Sequence, residues 1–170
     1  MPSRTISLGF TIVLQIDNML IVDIDSQKDD EIIKSIENFY KKYNLNSLIY
    51  KTRNGHRVFI TNKKFDITSD YDLIFHYYQT LKGDLQYLEI SLTGKENFFH
   101  ARIVPKQNGF RNKNEEEILK KFLKYQKDKS VAVTRYITSI GDGLVLDDFK
   151  EFIEKHDKAT KAFLKDSILV

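Results

Sequence analysis

The residues with the clearest chemical potential are Asp23 and Asp25, in the run Leu20-Ile21-Val22-Asp23-Ile24-Asp25. Side chains two apart on a strand share a face, so both carboxylates can converge on one spot and hold one or two hard cations. Such a pair suits two-metal nucleotidyl transfer, in which bound ions activate an attacking hydroxyl and stabilise the leaving pyrophosphate. A plainer reading stays open from pattern alone: an acceptor-rich helix start, with Asp25 or Ser26 as the cap.

Cations follow. Lys51, Arg53, Arg57, Lys63 and Lys64 lie between positions 51 and 64 with no acidic residue among them. Strand alternation puts Lys51 and Arg53 on one face and Arg57 just past a turn, a field suited to the phosphates of a nucleoside triphosphate. Phe59, two residues on from Arg57, would share its face and could stack under a base. Lys63 and Lys64 are equally well explained as guards of a sheet edge. A second acid-free stretch carries Arg102, Lys106, Arg111 and Lys113 around Phe110, a mixture that suits a polynucleotide backbone and a stacked base. The histidines His56, His76, His100 and His156 lack the spacing of zinc ligands. His156-Asp157 looks superficially like the pair of metal phosphohydrolases but has no supporting His or Asp set, so a structural role is expected.

Composition narrows the chemistry. With no cysteine in 170 residues there is no disulfide, thiolate zinc site or iron–sulfur cluster, and any metal must be held by carboxylates, His and water. Oxygen-loving divalent ions become the default. The longest apolar stretches, 10–14 and 19–22, fall far short of the roughly 20 residues of a membrane span, so no membrane partner and a cytoplasmic address are expected. A chain of this length matches one domain, residues 1–170, which would bury roughly 70% of its unfolded surface. The net charge of +3 does not by itself demand nucleic acid.

The elements that must position these residues can be read from periodicity. Residues 9–16 and 19–25 read as strands joined through Asp17-Asn18 as a hairpin or tight turn. Apolar positions Ile32, Ile33, Ile36, Phe39, Tyr40 and Tyr43 recur at three and four, predicting a helix over 28–43 with Ser26 as its cap. Strands over 47–52 and 57–61 join through Asn54-Gly55, a strong hairpin signal. A helix over 68–81 capped near Ser69 precedes strands over 85–92 and 98–104 across Thr93-Gly94. The order strand, helix, strand, strand, helix, strand predicts an α+β fold of ferredoxin-like or RNA-recognition-motif-like split βαβ type, core about 19–111. The C-terminal extension, 112–170, adds a helix over 115–126, a strand over 131–140, a Gly141-Asp142-Gly143 turn and helical pieces over 147–153 and 159–164.

With the Asp23/Asp25 pair and the hairpin Lys51-Thr52-Arg53-Asn54-Gly55-His56-Arg57-Val58-Phe59 together, the chain resembles the archaeo-eukaryotic primase, or primase-polymerase, superfamily, over roughly residues 19–111. It looks closest to a small bacterial branch whose later strand reads like Phe99-His100-Ala101-Arg102-Ile103-Val104-Pro105-Lys106. The resemblance implies a nucleotidyltransferase that binds nucleoside triphosphates, DNA or RNA, and Mg2+ or Mn2+, working with replication or repair proteins. It makes Asp23 and Asp25 catalytic metal ligands, sets His56 and Arg57 at the phosphate end of the hairpin, and brings Arg102 and Lys106 nearby. Where the superfamily has His after an aromatic, this chain reads His56-Arg57, so either residue could take the phosphate role. Glu89 is one candidate for the third carboxylate and Asp84 another.

Two other readings compete. A catalytically inactive primase-like module would bind nucleic acid through the same basic faces. Leu20-Ile21-Val22-Asp23-Ile24-Asp25 also resembles the strand that bears the nucleophilic aspartate of haloacid-dehalogenase-like phosphatases, but Ser26-Gln27 departs from that motif and the family requires a doubly wound parallel sheet.

Overall fold

The apolar run that carries Asp23 is the edge strand of a four-stranded antiparallel sheet. The computed structural model describes residues 4–7, 11–25, 27–93, 98–105 and 115–170. This sheet holds β3 (Ile21–Asp25), β4 (Ser47–Thr52), β5 (Gly55–Ile60) and β8 (Thr134–Ile140) in the order β3-β5-β4-β8. A three-stranded antiparallel sheet, β1 (Arg4–Ser7), β2 (Ile12–Ile16) and β6 (Phe99–Arg102), is ordered β1-β2-β6. A short parallel pair joins β7 (Val131–Ala132) to β9 (Ile168–Leu169). With helices α1 (Asp29–Tyr43), α2 (Tyr71–Leu81), α3 (Leu85–Thr93), α4 (Glu115–Lys127) and α5 (Asp147–Thr160), the chain is a mixed α+β structure. The main sheet is antiparallel throughout, unlike the doubly wound parallel sheet of the phosphatase reading.

Register divides the main sheet into two faces. Asp23 pairs with Arg57, which pairs with Tyr50; Ile24 pairs with His56, which pairs with Lys51. Directly opposed residues point the same way, so Asp23, Arg57 and Tyr50 share one face while Ile24, His56 and Lys51 share the other. Helix α1 serves the second face, where Asp29 in its first turn meets both His56 and Lys51. Helices α1 and α2 interlock through Phe39, Tyr43 and Tyr77, with ring centroids 4.9–5.1 Å apart. Helix α5 covers the first face with Phe149, Phe152, His156 and Thr160, a buried stripe at three- and four-residue spacing.

Several expectations are corrected. Strands β2 and β3 do not form a hairpin: they belong to different sheets, and the segment between them bonds elsewhere, the Asn18 and Leu20 carbonyls accepting from Phe65 and Ile60. Residues 85–92, expected as a strand, are helix α3, so the second half of the split βαβ pattern is not built. The apolar residues there satisfy both periods, but Asp84 Oδ1 accepts the Gln86 N–H at 2.9 Å and opens a helix whose Leu88 and Ser91 turn inward. Helix α2 starts at Tyr71 because Asp66 Oδ1 accepts the N–H groups of Thr68 and Ser69 and holds them in a turn. The cap position of α1 is held by Lys28; Ser26 lies outside the described residues.

The 53–55 turn closes without any positive φ, so Gly55 is required for another reason. A Cβ there would stand 2.0 Å from the Ile24 carbonyl oxygen, across the ladder from Asp25. Toward the C-terminus, the expected 131–140 strand changes partners at Val133, whose N–H bonds to Thr160 O. The expected helical piece 147–153 runs on to Thr160 as α5, whereas most of the second piece, 159–164, is a turn that follows the left-handed cap at Lys161. Strand β8 is a full member of the main sheet, paired with β4 across a bulge at Ile49/Tyr50, so this part of the C-terminal extension belongs to the framework. The Gly141 and Gly143 turn is as expected, with φ of 109° and 87°.

Candidate functional site

Asp23 and Asp25, at the end of β3, open together onto a cleft of about 410 Å³. Its walls come from three places. The 52–54 turn supplies Arg53 and Asn54, α3 with its preceding loop supplies Asp84, Tyr87 and Ile90, and the β2–β6 sheet supplies Val13, His100 and Arg102. Local bonds hold these walls in place. The Asp84 N–H donates to Asp23 O at 2.7 Å, tying the start of α3 to the acidic strand. The Tyr87 hydroxyl accepts the His100 N–H at 2.8 Å and donates to the His100 carbonyl, clamping α3 to β6.

Behind the carboxylates lies Arg57, with only 4% of its side chain exposed. Its Nε–H donates to Asp23 Oδ1 at 3.3 Å, and Nη1 donates to Arg102 O at 3.0 Å and to His156 Nε2 at 3.2 Å. Because guanidinium nitrogens only donate, His156 Nε2 must be the bare acceptor, and its Nδ1–H therefore donates to Asp157 Oδ1 at 2.9 Å. His156 is thus a neutral imidazole: burial pushes its pKa down to about 4, and the Arg57 charge adds to this against the pull of Asp157. A buried polar chain runs Asp157, His156, Arg57, Asp23 from α5 to the cleft.

Burial raises the pKa of Asp23, opposed by the charge and hydrogen bond of Arg57. Its side chain is 29% exposed, and the Arg57 bond engages Oδ1 alone. Asp25 is exposed. Arg102 donates from Nη1 to Val104 O, and its pKa is pushed down to about 10 by burial and then by the neighbouring Arg57 charge. His100 accepts from the Gln15 amide at 2.9 Å, and burial lowers its pKa.

The residues singled out from sequence separate into groups. Asp23, Asp25, Arg53, His56, Arg57 and Arg102 line one cleft. Lys51 does not reach it: its ammonium is 3.0 Å from Asp29 on the α1 face. His56, a neighbour of the cleft by its backbone position, turns its ring to that same face, where Nε2 meets Asp29 at 2.8 Å and the side chain is fully buried. Burial lowers the His56 pKa against the pull of Asp29. It is therefore read as the neutral Nε2–H donor, and its Nδ1 is buried with no hydrogen-bond partner. Burial works against ionised Asp29, but bonds from His56 and Lys51 outweigh it and hold its carboxyl below the usual range. The His56 ring is thus engaged with Asp29 on the α1 face.

Glu89 is exposed on α3 and is not among the residues lining the cleft, whereas Asp84 is. Phe59 is not available for base stacking, being fully buried 4.7 Å from the His156 ring and 5.6 Å from Phe152. Lys106, Phe110, Arg111 and Lys113 lie outside the described residues. Among the described residues no group of three or more His, Asp or Glu side chains is arranged to hold a metal ion, and no helix is long and apolar enough to cross a membrane.

His156 is the participant that sequence reasoning missed. Its position in the 149, 152, 156, 160 stripe was a usable signal, because a histidine on the buried face of a helix must find partners for its ring nitrogens. No protein-family model, curated protein or solved structure matches the chain.

Proposed function

We propose that the cleft binds a nucleoside triphosphate together with Mg2+ or Mn2+, in a nucleotidyltransferase domain related to the primase-polymerases. The observation that carries this reading is the convergence of Asp23 and Asp25 with Arg53 and Arg102 around one cleft. Two carboxylates with free oxygens form a hard donor set. Mg2+ commonly uses one or two protein carboxylates and completes its shell with substrate phosphates and water, so a pair without a third ligand suits an ion that arrives with its nucleotide. The bound ion would neutralise phosphate charge and polarise the phosphorus centre. Arg53 and Arg102 supply positive charge to the phosphates, and Ile90, Val13 and Tyr87 give an apolar wall for the base. The succession β3, α1, β4, β5, α2 with strand order β3-β5-β4 supports kinship with an RNA-recognition-motif-like core, and helix α3 is where this chain departs from it.

A second reading is favoured by a specific observation. Arg57 is committed to Asp23, Arg102 O and His156, and Glu89 lies away from the cleft, which suits a nucleotide- or nucleic-acid-binding module without catalysis. Equilibrium binding of a fluorescent nucleoside triphosphate, with Mg2+ and with chelator, tests the shared claim. Binding should require the metal and weaken on raising salt. Incorporation of labelled nucleotide into a primed template with Mn2+ then separates enzyme from module; nucleotide binding that ignores the metal would overturn the first reading and favour the module, and no binding with or without metal would overturn both.

A further inference from the structure

His156 is a costly residue to place where it stands. It is fully buried in the α5 stripe, its ring 4.7 Å from Phe59, 4.9 Å from Tyr50 and stacked on Phe152 at 6.4 Å. An aliphatic or phenyl side chain would pack there without a polar penalty. Both ring nitrogens are nevertheless used, one toward Asp157 and one toward Arg57. The aromatic contacts fix the ring plane, and the Asp157 bond fixes which nitrogen carries the proton. What remains is a single aimed lone pair that accepts from Arg57 Nη1.

That lone pair sets the orientation of the guanidinium. With Nη1 held by His156 Nε2 and Arg102 O, the planar group has its Nε edge turned to Asp23 Oδ1, and none of these bonds involves Nη2. We propose that His156 is a positioning residue for the cleft: from helix α5 it anchors Arg57, and through Arg57 it holds the Asp23 carboxylate in place. The consequence for metal and nucleotide rests on the function proposed above; the anchoring of Arg57 does not.

Imidazole 15N NMR of the wild-type protein near neutral pH tests the anchor directly. The proposal expects His156 in the neutral Nδ1–H form, and an Nε2–H or doubly protonated ring would overturn it. The variant His156→Phe keeps the ring contacts and removes both polar functions. The Arg57 Nε–H should then exchange with water at least about tenfold faster, as loss of a charge-assisted bond implies. Mn2+·ATP should bind at least about tenfold more weakly on the same ground. His156→Gln, whose amide oxygen can accept from Arg57, should recover part of both. If wild-type protein binds no Mn2+·ATP, the functional reading falls while the exchange rate still decides the anchor. If His156→Phe does not fold, the wild-type tautomer and His156→Gln exchange decide it. Unchanged Arg57 Nε–H exchange in folded His156→Phe protein would overturn the proposal.

Discussion

Asp23 and Arg57 are directly opposed residues of β3 and β5, and their side chains meet through one Nε–H at 3.3 Å, leaving the carboxylate anchored at a single oxygen. Arg57 therefore acts first as a structural cation, unlike a surface side chain reaching for phosphate. Removing it takes a donor from Asp23, Arg102 O and His156 Nε2. Arg57→Ala should cost on the order of 3 kcal/mol in urea unfolding, the range for breaking one partner of a buried charge pair. Arg57→Lys keeps the charge without the planar fork and should fall between the two. A loss below about 0.5 kcal/mol, the size of an ordinary surface change, would contradict the packing described.

Gly55 makes a sharper steric prediction. Its missing Cβ lets β5 pass against the Ile24 carbonyl beside Asp25, so Gly55→Ala must push the two strands apart. Gly143 provides the contrast, since its added Cβ meets nothing within 4 Å and only its φ of 87° resists substitution. Gly143→Ala should cost roughly 1 kcal/mol and Gly55→Ala clearly more, by about 2 kcal/mol or above. Equal losses in parallel denaturation curves would contradict the close approach.

Much of this arrangement was legible from residue type and spacing. The Asp23/Asp25 face follows from strand period and α1 from its apolar stripe; the Asn54-Gly55 signal marked the β4–β5 hairpin, although the loop is 53–54 and Gly55 already belongs to β5. Other parts were hidden for identifiable reasons. Residues 85–92 have an apolar pattern that satisfies helix and strand alike, and the choice is made by Asp84 at the helix start. The pairing of β2 with β6 joins segments more than 80 residues apart, which no local turn signal announces. Helix α5 runs past 153 to Thr160 because Phe149, Phe152, His156 and Thr160 share its buried face, and a stripe that ends in His and Thr carries a weak apolar signal.

The buried imidazole also makes a pH prediction. His156 has its pKa pushed down to about 4, against 6.5 for the free side chain. Between those values the unfolded chain takes up a proton that the folded chain refuses, so stability rises with pH across this window. The contribution is fully present above about pH 6.5 and is lost as pH falls through about 4. Wild-type protein should lose on the order of 3 kcal/mol more than His156→Phe between pH 7 and 4. Taking the difference removes the similar behaviour of His56, whose pKa burial also lowers. Parallel stability curves would show that His156 is not held neutral.

In the proposed function, Asp23 and Asp25 act as one divalent-cation site that needs its nucleotide. The direct measurement is electron paramagnetic resonance of Mn2+ titrated into the protein with and without ATP. Wild-type protein should deplete the Mn2+ signal more with ATP than ATP does alone. Asp23→Asn with Asp25→Asn should abolish this excess, and Glu89→Gln, placed away from the cleft, should leave it within about twofold, the scale of a surface substitution. Equal Mn2+·ATP binding by the wild type and the doubly substituted protein, or no excess binding by the wild type, would contradict it.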